Sequence, residues 1–193
     1  NVYGSLVLLE AMKEANVKTI VFSSTANVYG NPQEMPIRES FAVSPFSPYG
    51  VTKLVVENML RDVFNSENGW CIAALRYFNP TGAHESGLIG EDPNGIPTNL
   101  MPYIAQVASG KMPHLNVFGN DYPTVDGTGV RDFIHVIDLV KAHIKAIQYL
   151  EKKDSAFEIV NIGTGVGYSV LQMVKAFEQA SGQVVPYRVA PRR

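Results

Sequence analysis

Short apolar runs rich in β-branched residues alternate along this chain with segments whose apolar side chains recur at helical spacing, and nothing else in it limits the possible folds so much. Thr19-Ile-Val-Phe-Ser-Ser24 is the first such run and Cys71-Ile-Ala-Ala-Leu-Arg-Tyr77 the second. Runs this short and this apolar read as strands buried in a sheet. Ahead of the first, Leu6, Leu9 and Met12 mark a helix over residues 4–15. Ahead of the second, Ser47-Pro48 supplies a hydroxyl cap followed by proline at the first helical position, which predicts a helix running to about Phe64. Helix, strand, helix, strand in that order predicts an α/β fold, part of a doubly wound parallel sheet with helices on its faces.

Between these elements, residues 25–46 hold three prolines and few periodic positions, so a loop is expected. Residues 79–132 are crowded with Gly, Pro, Asn and Asp, with one helix expected near 100–109 and a short strand near 115–117. An irregular stretch of that size inside a compact domain points to binding. A strand at 131–135, a helix at 136–150, a strand at 157–162, a helix at 169–180 and a last strand at 184–189 follow. The division implied is a sheet domain over 1–78 and a smaller C-terminal α/β substrate-binding region over 79–193, within which 129–160 returns to the main sheet. Gly163-Thr-Gly-Val-Gly167 is expected to be a tight turn, because Tyr168 stands where a dinucleotide fingerprint would need its third glycine.

Composition excludes some partners. Hydrophobic residues make up 46% and charged residues 18%, enough for a sizeable core. The net charge is -2 with both signs scattered, which is unlike a nucleic-acid-binding surface. No apolar stretch is long enough to span a membrane, and no signal peptide is visible. The single Cys71 cannot form an internal disulfide; a buried, reduced thiol and a cytoplasmic setting are expected. His84, His114, His135 and His143 lack metal-ligand spacing, so no metal is expected. The chain opens at Asn1 directly into a helix-like segment and ends at Arg193 after a strand-like run, so it is expected to be a piece of a longer protein.

Tyr49 and Lys53 carry the chemistry. Four residues apart on the predicted helix, they share one face about 6 Å apart along the axis. A phenol is a poor base at neutral pH, with a reference pKa of about 10, and an adjacent ammonium favours the phenolate. Spacing alone is weak evidence in a chain with nine tyrosines, and Tyr149 with Lys153 repeats it at the polar end of another helix. Tyr49 differs in following a helix cap and in lying 24 residues after Thr25, a hydroxyl at the end of a predicted strand. In open parallel sheets ligands gather beyond the carboxyl ends of the strands, where Thr25 and Asn79 both fall.

Three strings make a resemblance specific: Phe22-Ser-Ser-Thr-Ala-Asn-Val-Tyr-Gly30, Ser47-Pro-Tyr-Gly-Val-Thr-Lys53 and Leu75-Arg-Tyr-Phe-Asn-Pro80 resemble the extended short-chain dehydrogenase/reductase family, whose cofactor domain is Rossmann-like. Residues 90–102, Gly-Glu-Asp-Pro-Asn-Gly-Ile-Pro-Thr-Asn-Leu-Met-Pro, and residues 118–135, from Phe118 to His135, are similar to the UDP-glucose 4-epimerase branch of it. The resemblance spans the whole chain. It implies that residues 1–78 are the C-terminal half of an NAD-binding domain whose glycine-rich loop lies N-terminal to Asn1, and that this piece alone is inactive. It implies NAD as cofactor, UDP-glucose and UDP-galactose as substrates, and a homodimer.

The same resemblance assigns roles. Tyr49 would act as base toward the sugar 4-hydroxyl, Lys53 would assist it and hold the nicotinamide ribose, and Thr25 would hydrogen-bond the same sugar oxygen. Tyr77 and Phe78 would belong to the cofactor site, Phe78 beside the nicotinamide. Asn79, Asn99, Leu100, Asn116, Val117 and Phe118 would line the sugar-nucleotide site, and Arg131 and Arg193 would meet the diphosphate. The implied reaction is transient oxidation at sugar C4 through a 4-keto intermediate. Alternatives are a nucleotide-sugar dehydratase, decarboxylase or reductase, or a nucleotide-sugar-binding module without catalysis. The dehydratases carry an acidic pair after the strand-end Thr, where this chain has Ala26 and Asn27, so elimination is disfavoured.

Overall fold

The computed structural model describes residues 1–192, which divide into two compact units. The first comprises Asn1–Phe78 and Ile137–Gly163; the second comprises residues 79–136 and the chain from Thr164 onward.

In the first unit, α1 (Val2–Glu14), β1 (Thr19–Thr25), α2 (Pro48–Ser66), β2 (Cys71–Tyr77), α4 (Val136–Leu150) and β6 (Ala156–Ile162) build a parallel sheet in the order β1-β2-β6. β2 is central, and its first six residues are buried. Alternation of side chains across the strands divides the core in two. Ile20, Phe22 and Ile72 pack against Leu9 and Met12 of α1 and Val56 and Leu60 of α2. Val21, Cys71, Ala73 and Leu75 pack on the other side against Ala146 and Leu150 of α4. The helices on the two faces thus answer the doubly wound arrangement expected of the alternating segments. The Cys71 thiol is free and buried, and donates to the Lys153 carbonyl at 3.2 Å.

Ser47 caps α2 as its sequence requires: Oγ accepts from the Gly50 amide at 3.0 Å, and Pro48 occupies the first turn. After β1 a short 3-10 turn covers Ala26–Tyr29, a refinement of the expected loop.

The second unit holds β3 (Asn79–Thr81), α3 (Leu100–Ala108), β4 (Leu115–Phe118), β5 (Val130–His135), β7 (Gly167–Ser169), α5 (Val170–Ser181) and β8 (Tyr187–Ala190). β5 lies between parallel β3 and antiparallel β7, while β4 pairs parallel with β8. The chain rejoins the first unit at Ile137, and it is β6 that pairs with β2; β5 belongs to the second unit's own sheet. A separate core of Ile104, Val107, Leu115, Val117, Val174 and Val185 joins α3, α5 and β4. Ser169 starts α5 with a reciprocal capping box to Gln172. The turn over residues 163–167 is fastened by Asp132, whose carboxylate accepts from Thr164 N, Thr164 Oγ1 and Gly165 N at 2.7–2.9 Å.

Candidate active site

Tyr49 sits in the first turn of α2 and Lys53 in the second, on one face. Lys53 Nζ lies 5.8 Å from the centre of the Tyr49 ring and 5.0 Å from that of Phe22. The ammonium donates to the Ser23 carbonyl of β1 at 2.9 Å, which fastens the helix to the strand. An ammonium has three N–H donors, so two stay available. Burial lowers Lys53 below its ordinary value. Tyr49 is 48% exposed, and its hydroxyl has no hydrogen-bond partner among the described residues.

Two local features hold Tyr49 where it is. Gly50 is buried, and a Cβ there would stand 2.9 Å from both the Asn27 carbonyl oxygen and Pro45 Cβ. The helix start therefore lies closer to the 3-10 turn and the preceding loop than any larger residue allows. Thr25, at the carboxyl end of β1, is 6% exposed; its Oγ1 accepts from the Asn27 amide at 3.2 Å and keeps its own proton for another acceptor. Ala26 and Asn27 lie in the turn that follows and bring no carboxylate to this place.

Tyr77, paired in register with Thr25, is a different kind of tyrosine. Its hydroxyl lies between Ser23 Oγ and His143 Nε2, at 2.6 Å from the latter, and His143 Nδ1 meets the Leu139 carbonyl at 2.9 Å. Burial pushes the Tyr77 phenol above its ordinary value, the hydrogen bond to Ser23 works against this, and the nearby Tyr49 adds to it. The Tyr77 hydroxyl is thus engaged inside the fold, whereas that of Tyr49 is uncommitted among the described residues. Phe78 is half-buried, with its amide donating to the Ile162 carbonyl at 3.1 Å.

In the second unit, Asn79 opens β3 opposite Phe133, and Asn99 and Leu100 begin α3. Asn99 Nδ2 donates to Glu91 at 2.7 Å, and Asn116 Nδ2 to the Tyr103 hydroxyl at 3.3 Å. Along β4 the side chains alternate, so Asn116 and Phe118 are half-buried whereas Val117 is sealed in the core at 1%. Val117 is paired with Val189 of β8 and is closed off as a whole residue, so the structure does not offer it to a ligand as the sequence reading expected. Arg131 is exposed and donates to the Val130 carbonyl at 2.7 Å. Asp132 is occupied with the 163–167 turn rather than with Arg131. Arg193 lies outside the described residues.

Sequence reasoning missed Gly50, Ser23, His143 and the buried group Ser24, Glu57, Arg76 and Tyr29. Gly50 had one signal, a glycine inside a helix where alanine would be favoured by about 1 kcal/mol. Two hollows of the first unit lie away from the reactive side chains. One of about 290 Å³ lies between α1 and α2, the other of about 410 Å³ under the loop after Tyr29, and neither is lined by Tyr49 or Lys53. The chemistry of the side chains, not the size of a hollow, marks the site.

Residues 1–163 match the NAD dependent epimerase/dehydratase family. The chain is 60% identical, over all of its 193 residues, to the UDP-glucose 4-epimerase of Bacillus subtilis, and covers 57% of that protein. It is 57% identical to the UDP-glucose 4-epimerase of Homo sapiens and covers 56% of it. It thus spans a little over half the length of the curated relatives it matches. Among solved structures, the UDP-glucose-4-epimerase of Stenotrophomonas maltophila, with bound NAD and formylated UDP-arabinopyranose, superposes with a TM-score of 0.96 at 53% identity, covering 100% of this chain and 57% of that one. The Bifidobacterium longum UDP-glucose 4-epimerase, in complex with NAD+ and UDP, gives 0.94 at 53% identity, with 99% and 57% covered.

Proposed function

This chain belongs to the NAD dependent epimerase/dehydratase family, and from that premise we propose that it carries the proton-transfer groups and sugar-nucleotide contacts of an enzyme interconverting UDP-galactose and UDP-glucose. One observation carries the reading: α2 sets the free Tyr49 hydroxyl and the Lys53 ammonium on one face beside the carboxyl end of β1, where Thr25 keeps a hydroxyl proton available. NAD, when bound, supplies hydride exchange at sugar C4, through which a transient 4-keto sugar forms and is reduced on its other face.

The residues present fit such a cofactor by their donor set. Lys53 has uncommitted N–H groups for a ribose, and the half-buried Phe78 directly after β2 is assigned to the nicotinamide. Tyr49 accepts the proton of the sugar 4-hydroxyl and later returns it. Thr25 donates to the same sugar oxygen, and Lys53 stands on the Tyr49 face of the helix with N–H groups to spare. In the second unit, Asn79, Asn99, Leu100, Asn116 and Phe118 are assigned to the sugar nucleotide, and Arg131 with Arg193 to its diphosphate. The first unit is assigned to the cofactor.

Ala26 and Asn27 favour epimerisation over elimination, which needs an acid and a base at those places. A homodimer and a cytoplasmic setting complete the reading. The exposed apolar side chains Leu6 and Leu8 of α1 and Val51 and Val55 of α2 support the former, and the free thiol of Cys71 the latter. No helix among the described residues is long and apolar enough to cross a membrane.

The test is conversion of UDP-galactose to UDP-glucose by the full-length protein. Wild type is expected to turn over and to show enzyme-bound NADH absorbance when trapped with UDP-sugar. Absence of both in folded, NAD-loaded protein overturns the reading.

A further inference from the structure

We infer that Glu57 and Arg76 are positioning residues for the proposed reaction: their buried ion pair fixes α2, and with it Tyr49 and Lys53, against the strand ends that carry Thr25 and Tyr77. The inference rests on the role proposed for Tyr49 and deepens it.

Glu57 and Arg76 are 4% and 3% exposed, and neither touches solvent enough to meet a substrate. Arg76 Nη2 and Nε grip the two oxygens of Glu57 as a fork, at 2.6 and 3.0 Å. Ser24 Oγ donates to the same carboxylate. The remaining guanidinium edge donates to the Tyr29 hydroxyl at 2.9 Å, and Tyr29 donates to Asn161 Oδ1 at 2.7 Å. Asn161 in turn donates to the Ile37 carbonyl from its side chain and to Glu39 from its backbone amide. One continuous network thus ties α2 to β1, β2, β6, the 3-10 turn and the loop beyond it.

The placement of this network relates it to the site. Ser24 and Arg76 are partners across the β1–β2 pairing, and the next pair along is Thr25 and Tyr77. Each strand member therefore directly precedes a candidate site residue. On α2, Tyr49, Lys53 and Glu57 follow one another at intervals of four, along one stripe of the helix. The fork has a single favourable geometry, so it sets both the rotation of α2 and its position along the strands. Lys53, bonded to the Ser23 carbonyl, makes the second fastening one turn nearer the helix start.

Stability alone is a poor account of this pair. Taking two charges out of water is costly, and apolar replacements of equal volume are often as stable or more so. What an apolar pair does not supply is a fixed register between helix and sheet. A displacement of about 1 Å in reacting groups lowers turnover roughly a hundredfold.

The experiment compares Glu57→Gln and Arg76→Lys with Leu60→Ala in the full-length protein. Leu60 is fully buried on the same helix but packs in the apolar cluster with Leu9, Trp70 and Ile72, so its loss lowers stability without touching the fork. Turnover of UDP-galactose is measured at a temperature where circular dichroism shows every variant folded. Glu57→Gln and Arg76→Lys are expected to lower kcat at least about tenfold with KM within about twofold, whereas Leu60→Ala keeps kcat within about twofold. Should either fork variant fail to fold, Ser24→Ala, which removes one donor to Glu57, is expected to lower kcat roughly two- to fivefold. Folded fork variants with wild-type kcat, or with losses matching that of Leu60→Ala, overturn the inference. Full activity in Tyr49→Phe overturns the reaction assigned to Tyr49 and this inference with it. Dependence on Tyr49 with unaffected fork variants overturns this inference alone.

Discussion

Two Tyr-x-x-x-Lys pairs occur, one within α2 and one that begins at the end of α4 and closes at Lys153 beyond it, and the ring-to-ammonium distance does not tell them apart. Tyr49 is 48% exposed and Tyr149 43%, and each lysine ammonium lies near the ring four residues before it, at 5.8 Å and 4.9 Å. Their surroundings differ. The Tyr149 hydroxyl donates to Glu158 at 2.8 Å, so its proton is already held by a carboxylate. It also lies at the carboxyl end of its helix, where a developing negative charge is disfavoured. Tyr49 lies at the amino end of α2 with an uncommitted hydroxyl, and Lys53 is tied to the Ser23 carbonyl beside it. A motif at helical spacing becomes a site only where the helix end and its neighbours leave the reacting atom free.

The largest effect that can break this contrast comes from removing the two hydroxyls. Tyr49→Phe is expected to lower kcat for UDP-galactose conversion by roughly 10²–10⁴, the range of general acid–base catalysis, while Tyr149→Phe stays within about twofold. Equal activities in the two variants would remove the distinction. Removal of the ammoniums comes next. Lys53→Met is expected to cost at least about tenfold in kcat/KM, because both the charge beside Tyr49 and the tie to β1 disappear, whereas Lys153→Met is close to neutral. The same steady-state assay on folded protein reads both.

Much of this was legible in the chain. Ser47-Pro48 announced the start of α2, and the apolar run 71–77 became β2 with the same bounds. Tyr49, Lys53 and Thr25 could be singled out because the first two follow from helical period and the third from the end of a strand. β3 and β7 could not be found, since each has three residues and forms only by pairing with β5. Val117 shows the same limit within the site, because one-residue alternation along β4 turned its side chain into the core. Glu57 and Arg76 were hidden for a further reason. A charge in sequence reads as solvated, and only the tertiary fold reveals that these two meet each other in the interior.

Gly50 sharpens the comparison through stability. At the corresponding place after Tyr149 the chain has Leu150, a buried core residue, whereas after Tyr49 no Cβ fits. Alanine favours helix over glycine by about 1 kcal/mol. Here the added carbon meets the Asn27 carbonyl, a backbone atom that cannot swing away, and overpacking costs about 1–3 kcal/mol. Gly50→Ala is therefore expected to lower the urea unfolding midpoint despite its better propensity, and to lower kcat by displacing Tyr49. A raised midpoint would show that the helix start has room to move.

The smallest effect tests how Lys53 is held. Burial depresses its folded value below that of the unfolded chain, where lysine titrates near 10.5. Between those two values the unfolded state binds more protons than the folded one, so stability rises with pH across that window, and below it the cost of burying the charge is fully present. The rise is small, because the ammonium is only partly withdrawn from water. Subtraction isolates it: urea midpoints of wild type and Lys53→Met, measured from pH 8 to 10.5, should differ in slope, with wild type gaining relative to the variant as pH increases. Parallel slopes would mean that the ammonium is solvated as fully in the fold as in the open chain, and the contrast between the two pairs would then rest on the hydroxyls alone.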